Sequence, residues 1–288
     1  MNTYLLPGLV ANAASMGYNW MYNTAYLENL SLKKSLLFQK PSLEEYTEAG
    51  KSYFAYPDAQ VGSVSTQGMF LKWLYEALLK NPSLDRQGYE SLLYQHIGPG
   101  GSYKGYIETY GKKMIVNVIN RELKLGYPVL NIHDDHLVGF IPYLVCKELK
   151  LSNEQALDLA NLFTDYSEYA AFYTVFDYVF DHLGQQPLPK ILLESIELAP
   201  KHYQVHLKAA LNMDNTTLFV QEHAGISCHI PYSVPVIFHL LSHSSSFEEL
   251  IEKNTKLGGA SSDRGLLLGA IMHQISKAPQ SWIEKLKS

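Results

Sequence analysis

Four segments of this chain carry side chains whose types and spacing could do chemistry. The first is Leu257-Gly258-Gly259-Ala260-Ser261-Ser262-Asp263-Arg264-Gly265, continuing apolar to Ala270. Two adjacent glycines free the backbone, and small polar residues then open a helix whose unpaired N–H groups and dipole attract anions. A phosphate or carboxylate is the guest this suits, with Gly258, Gly259, Ser261, Ser262 and Arg264 around it. An architectural reading competes: Asp263 suits the dipole of a first helical turn, and Gly265 and Gly269, four apart, let another helix approach closely.

The second segment, Asn131-Ile132-His133-Asp134-Asp135-His136, sets two carboxylates between imidazoles. Asp134 and Asp135 could bind a divalent ion or act as an acid/base pair, or could simply cap a helix that begins near Leu137. The third, Gln221 to Pro231, holds Cys228 between His223 and His229. A neighbouring imidazolium or helix N-terminus lowers a thiol pKa and makes a nucleophile, whereas a free cysteine equally serves as a small buried hydrophobe. The fourth feature is aromatic. Tyr103 and Tyr106, after the flexible Gly98-Pro99-Gly100-Gly101, and Trp20, within Gly17 to Asn23, could stack on a purine or sugar. Packing competes here too, because the chain has 21 tyrosines.

The elements that must position these residues read as helices. Ser42, Ser152, Ser246 and Ser281 each precede an acidic or amide residue three positions on, the pattern of a capping box. After Ser152, apolar residues from Leu159 through Tyr166 to Phe180 recur at spacings of three and four, which predicts one long half-buried helix ending at Gly184. Similar periodicity predicts helices over 69–79, 89–96, 110–125, 137–149, 190–198, 234–242, 248–256 and 265–276. Alternating runs bounded by turn pairs are scarce, so the fold class is all-α. No linker or low-complexity stretch divides the chain, and residues 1–288 are expected to form one domain.

Composition bounds the function. Lys and Arg number 23 against 28 Asp and Glu, a net charge of −5, which excludes a polybasic nucleic-acid binder. With 47% hydrophobic and 18% charged residues the chain can bury a large core. Cys146 and Cys228 are too few and too far apart for a disulfide scaffold, so a reducing cytoplasm is the expected setting. No apolar run is long enough for a membrane span. The opening segment lacks the basic residues of a signal peptide.

Taken in order, the segments resemble a degenerate version of the ADP-ribosylglycohydrolase family. Gly8-Leu9-Val10-Ala11-Asn12-Ala13-Ala14 through Tyr22 is similar to that family's first helix, in the branch where it runs into His-Trp-Ile-Tyr-Asp, here Tyr18-Asn19-Trp20-Met21-Tyr22-Asn23. Asp135 to Pro142 resembles a mid-chain Gly-x-x-Met/Ala-Arg-x-x-Pro motif, with Gly139 at the Arg position. Gly225-Ile226-Ser227-Cys228 with Pro235, then Gly258-Gly259 through Ala270, resemble the late Gly-x-x-Cys and Gly-Gly-Asp-Ser-x-x-Arg-Gly segments.

The resemblance covers essentially the whole chain. It implies an all-α domain in which two Mg²⁺ or Mn²⁺ ions and carboxylates cleave a glycosidic bond to ADP-ribose. The sequence departs from the family at the ion ligands. The early Thr-Asp-Asp-Thr motif falls on Ser63-Val64-Ser65-Thr66 and the late Asp-x-Asp-Thr motif on Ala260-Ser261-Ser262-Asp263. Val64 and Ala260 cannot ligate, and neutral hydroxyls cannot offset two divalent charges, so the two-ion site is not expected and no metal ligand is assigned.

Three readings follow from the residues together with the resemblance. One is a hydrolase that retains an ADP-ribose-type ligand and uses Asp134, Asp135 and Asp263. Another is a non-catalytic descendant that binds a nucleotide-like ligand or a protein partner. The last is a Cys228-dependent hydrolase or transferase.

Overall fold

A computed structural model describes residues 3–133, 135–165 and 167–287. The candidate Asp134 lies outside the described residues, as does Tyr166 of the long helical pattern. Among those described there are sixteen α-helices and three short 3-10 turns, with isolated β-bridges in place of strands. The fold is all-α, as the periodicity predicts.

The capping signals work where the serine precedes the first helical residue. Ser42, Ser152 and Ser246 accept the N–H of Glu45, Gln155 and Glu249, opening the helices Leu43–Ala49, Asn153–Ala160 and Phe247–Leu257. Ser281 instead sits inside the short helix Gln280–Ile283, because Pro279, with φ −59, already sets the helical entry one residue earlier. The long helix predicted after Ser152 is two helices, Asn153–Ala160 and Glu168–His182. Its apolar spacing persists across the break because Leu162 and Phe163 stay buried in the connecting turn, so periodicity alone could not reveal it.

The centre of the molecule is an antiparallel-looking pair of small-residue helices distant in sequence, Leu5–Ser15 and Ser261–Met272. Their backbones almost touch. A Cβ on Gly8 would stand 2.6 Å from the Leu266 carbonyl oxygen, and one on Gly269 2.4 Å from that of Pro7. Every residue of Ser261–Met272 is buried, so this helix forms the axis around which Thr66–Lys80, Ile230–Ser242 and Phe247–Leu257 assemble, with Phe140–Leu149 packed on its partner Leu5–Ser15. No helix among the described residues is long and apolar enough to cross a membrane.

Candidate functional site

The turn after Phe247–Leu257 builds the site. Gly258 and Gly259 have φ +80 and +61, and a Cβ on Gly259 would lie 1.8 Å from the Ile226 carbonyl oxygen, so only glycine fits there. This turn docks on the early chain: Gly259 N–H donates to Met21 O (2.7 Å) and Trp20 N–H to Gly259 O (2.6 Å). Trp20 itself is left-handed, with φ +66, a conformation a bulky aromatic residue adopts only when its surroundings impose it. Tyr53 N–H, donating to Trp20 O at 2.9 Å, fixes it from the other side.

Three segments that the sequence keeps far apart meet at Asp263. Its Oδ1 accepts from Ser65 Oγ at 2.9 Å, and Ser65 caps the Thr66–Lys80 helix. Asn12 ties the group together. Its Oδ1 accepts Ser65 N–H (2.8 Å), and its Nδ2 donates to Ser65 Oγ (2.9 Å) and Ser262 O (2.8 Å). Burial pushes the Asp263 carboxyl up to about 7, against the opposing pull of the Ser65 hydroxyl, the Arg264 charge and the Trp20 indole N–H. The indole faces Asp263 without completing a hydrogen bond, and Asp263 Oδ2 and Trp20 Nε1 are both buried and unpartnered.

Glu108, which precedes the helix Thr109–Glu122, is a second buried carboxyl here. Burial, and then the charge of Asp263, hold it well above the usual carboxylate range, although Tyr110 and Gln67 favour its ionised form. Among the described residues, Glu108 Oε1, both amide atoms of Gln67 and the Tyr110 hydroxyl have no hydrogen-bond partner. Buried polar groups are nearly always paired, so a cluster of orphans beside two coupled carboxyls marks a functional candidate. Sequence reasoning passed over Glu108. Its only signal is a lone acid amid Tyr103, Tyr106 and Tyr110, which reads equally as a partner for the dipole of the helix that follows.

The other candidates fall on three sides of this centre. Trp20, Tyr53, Tyr56 and Tyr106 form an aromatic box, with ring centroids 5.3–5.9 Å apart. Beyond it opens a cleft of about 540 Å³, walled by Tyr56, Val64, Tyr103 and Tyr106 and edged by Lys72, Lys104 and Lys287. The Thr66 hydroxyl, within 2.9 Å of Tyr103 OH and 3.1 Å of Tyr56 OH, joins the cleft wall to the next residue, Ser65. Asp263 and Glu108 do not line this cleft.

Arg264 is buried, and its guanidinium donates to Asn254 Oδ1 (3.1 Å), Ile226 O (3.1 Å) and Gly258 O (2.5 Å), where it fixes the glycine turn. Burial lowers its pKa to about 10, with Asp263 opposing. At the start of the same helix, Ser262 N–H donates to Asn19 Oδ1 (3.0 Å), Ser262 Oγ points at Met16 Sδ, and the buried Ser261 Oγ has no partner. The N-terminus of this helix thus faces protein.

On the third side, Asp135 and Cys228 lie on two segments bridged antiparallel at His136 and His229. Cys228 Sγ is 3.5 Å from His136 Nδ1, and Asp135 Oδ1 is 2.5 Å from His229 Nδ1. Cys228 also packs against the cluster containing Trp20, Tyr56 and Ala260, so this corner adjoins the aromatic box. His223 goes elsewhere, stacking on Phe219 and meeting His206.

The donors at the centre do not fit two divalent cations. The early and late motif positions supply Val64 and Ala260, which have no donor, and Ser65 and Ser262, whose hydroxyls already bond to Asp263 and Met16. The two carboxyls there, Asp263 and Glu108, supply at most two negative charges against the four positive charges of two such ions.

No protein-family model and no curated protein matches the chain. Solved structures do. One of them, an "ADP-ribosylglycohydrolase-related protein complex", superposes with TM-score 0.64 over 99% of this chain and 91% of that one, at 14% sequence identity. This chain thus has the fold of an ADP-ribosylglycohydrolase-related protein over nearly its whole length.

Proposed function

We propose that the chain is a divergent ADP-ribosylglycohydrolase-like protein that holds an ADP-ribose-type ligand in the tyrosine-walled cleft without the family's two ions. The observation that carries this reading is the cleft's own composition. Aromatic faces at Tyr56, Tyr103 and Tyr106 suit a base or sugar, and Lys72, Lys104 and Lys287 against the single Asp58 suit a pyrophosphate, in a protein whose net charge is −5. Calorimetric titration with ADP-ribose tests it, once in chelator and once with Mn²⁺. Binding of equal strength in both is expected. Replacing Lys72 or Lys104 with Ala is expected to weaken it roughly 3- to 30-fold, the range of one charge-assisted contact. Absence of binding in both conditions overturns the reading.

A second reading, hydrolysis at the same centre, is favoured by the buried carboxyl pair. Two carboxyls that interact and are both raised can divide into acid and base, with Asp263, near 7, the member poised to change state at neutral pH. A substrate would reach them only if the Trp20 and Tyr106 rings moved aside. Loss of turnover in both Asp263→Asn and Glu108→Gln, with ligand affinity retained, would establish this reading. Turnover unchanged in the two variants would end it. The non-catalytic alternatives, nucleotide-like or protein partner, remain the expectation where ADP-ribose binds but is not consumed.

A further inference from the structure

We propose that His136, Cys228 and His229 form a binding site for one borderline-soft divalent ion such as Zn²⁺, separate from the hard-ion centre that the chain has lost. One ligand atom from each of the three residues lies within 4.8 Å of the others, and the residues are half-buried, hence reachable. Around a tetrahedral ion with bonds of ~2.0–2.3 Å, ligand atoms sit about 3.3–3.7 Å apart. The Cys228 Sγ to His136 Nδ1 separation of 3.5 Å already meets this, and the His229 ligand atom, within 4.8 Å of both, has to move inward to complete the set.

The frame is rigid and comes from the backbone. Leu137 N–H donates to Cys228 O (2.9 Å) and Ile230 N–H to Asp135 O (2.8 Å), which holds the two segments face to face. Each segment runs directly into a helix: His136 precedes the 3-10 turn that opens Phe140–Leu149, and His229 precedes Ile230–Ser242. The Tyr169 hydroxyl donates to the His136 carbonyl from a further helix. Ligands carried at helix starts in this way need little reorganisation on binding.

The orientation of His229 supports a metal reading over plain packing. Its Nδ1 faces Asp135 Oδ1 at 2.5 Å, and since an ionised carboxylate only accepts, this contact suits the arrangement by which a carboxylate orients a metal-bound imidazole. One thiolate and two imidazoles suit Zn²⁺ or Co²⁺ and not Mg²⁺. Three protein ligands are one fewer than a tetrahedral ion takes, so solvent or a small ligand would supply the fourth. This inference does not rest on the ADP-ribose reading.

Titration of the metal-free full-length protein with Co²⁺ under reducing conditions tests it. The expected result is a near-ultraviolet thiolate-to-cobalt charge-transfer band saturating at one ion per chain, displaced by Zn²⁺. Cys228→Ser should abolish the band, Cys146→Ala should keep it, and Asp135→Asn should weaken the affinity on the order of 10- to 100-fold. Circular dichroism confirms that each variant is folded, and if Cys228→Ser is not, His136→Asn takes its place. A wild-type protein without the band, or a band that survives Cys228→Ser, overturns the proposal.

Discussion

A carboxylic acid enclosed away from water is driven toward its neutral form, and at Asp263 this has a thermodynamic signature. Its folded-state pKa, about 7, lies above the ordinary value of 3.8, so between those two pH values the folded protein holds a proton that the unfolded chain has released. Stability from this residue is therefore complete in acid and is lost as pH rises toward and through 7. His239 works in the opposite sense. Burial lowers it to about 4, so its contribution is lost as pH falls from about 6.5. Asp263→Asn keeps an acceptor for Ser65 Oγ while removing the titration. Between pH 5 and 8 the variant should lose roughly 2–3 kcal/mol less stability than wild type. Paired urea melts at the two pH values measure the difference, and parallel losses in both proteins would refute it. Asp263 was legible in the sequence because it stands in a glycine-led helix start. Glu108 was not, since what singles it out is the convergence of Gln67, Tyr110 and Asp263 from distant segments.

At the scale of elements, caps and apolar spacing located most helices because both act within a few residues. What they could not show is which helix faces which. Gly265 and Gly269 read as a close-packing pair, and the structure supplies the partner, the helix Leu5–Ser15. The two glycines are not equivalent. A Cβ at Gly269 would meet a carbonyl oxygen at 2.4 Å, whereas at Gly265 its nearest neighbours are backbone atoms 3.0 Å away. Gly269→Ala should destabilise by about 1–3 kcal/mol through overpacking. Gly265→Ala should stay within about 1 kcal/mol of wild type, since the helix-propensity gain of alanine offsets a milder squeeze. Chemical denaturation of the two variants tests this order, and the reverse ranking would refute it. The break between Ala160 and Glu168 was illegible for the opposite reason: the turn buries its apolar residues as a helix would.

At the scale of the whole molecule, the fold is shared where the sequence hardly is. The order of motifs along the chain foretold the architecture, which survives at 14% identity because it depends on small residues at helix contacts and apolar ones around them. The proposed absence of the two-ion centre has a test of its own. Addition of millimolar Mg²⁺ should accordingly leave the melting temperature unchanged to within about 1 °C, where a specific site occupied at 100 times its dissociation constant would add about 2.7 kcal/mol. A rise of several degrees would show that other donors have rebuilt the centre.

The pairing of Leu5–Ser15 with Ser261–Met272 also has a consequence for how the protein is made. The helix Leu5–Ser15 meets its partner only after some 250 further residues, roughly 13–50 s later at ~5–20 residues per second. Throughout that interval Leu9, Val10, Ala13 and Ala14, all buried in the finished protein, have no finished core to enter. A fragment spanning residues 1–245 should lack a cooperative unfolding transition and bind hydrophobic dyes, and a sharp transition in it would refute this. The central pairing therefore cannot form until nearly the whole of residues 1–272 has been synthesised.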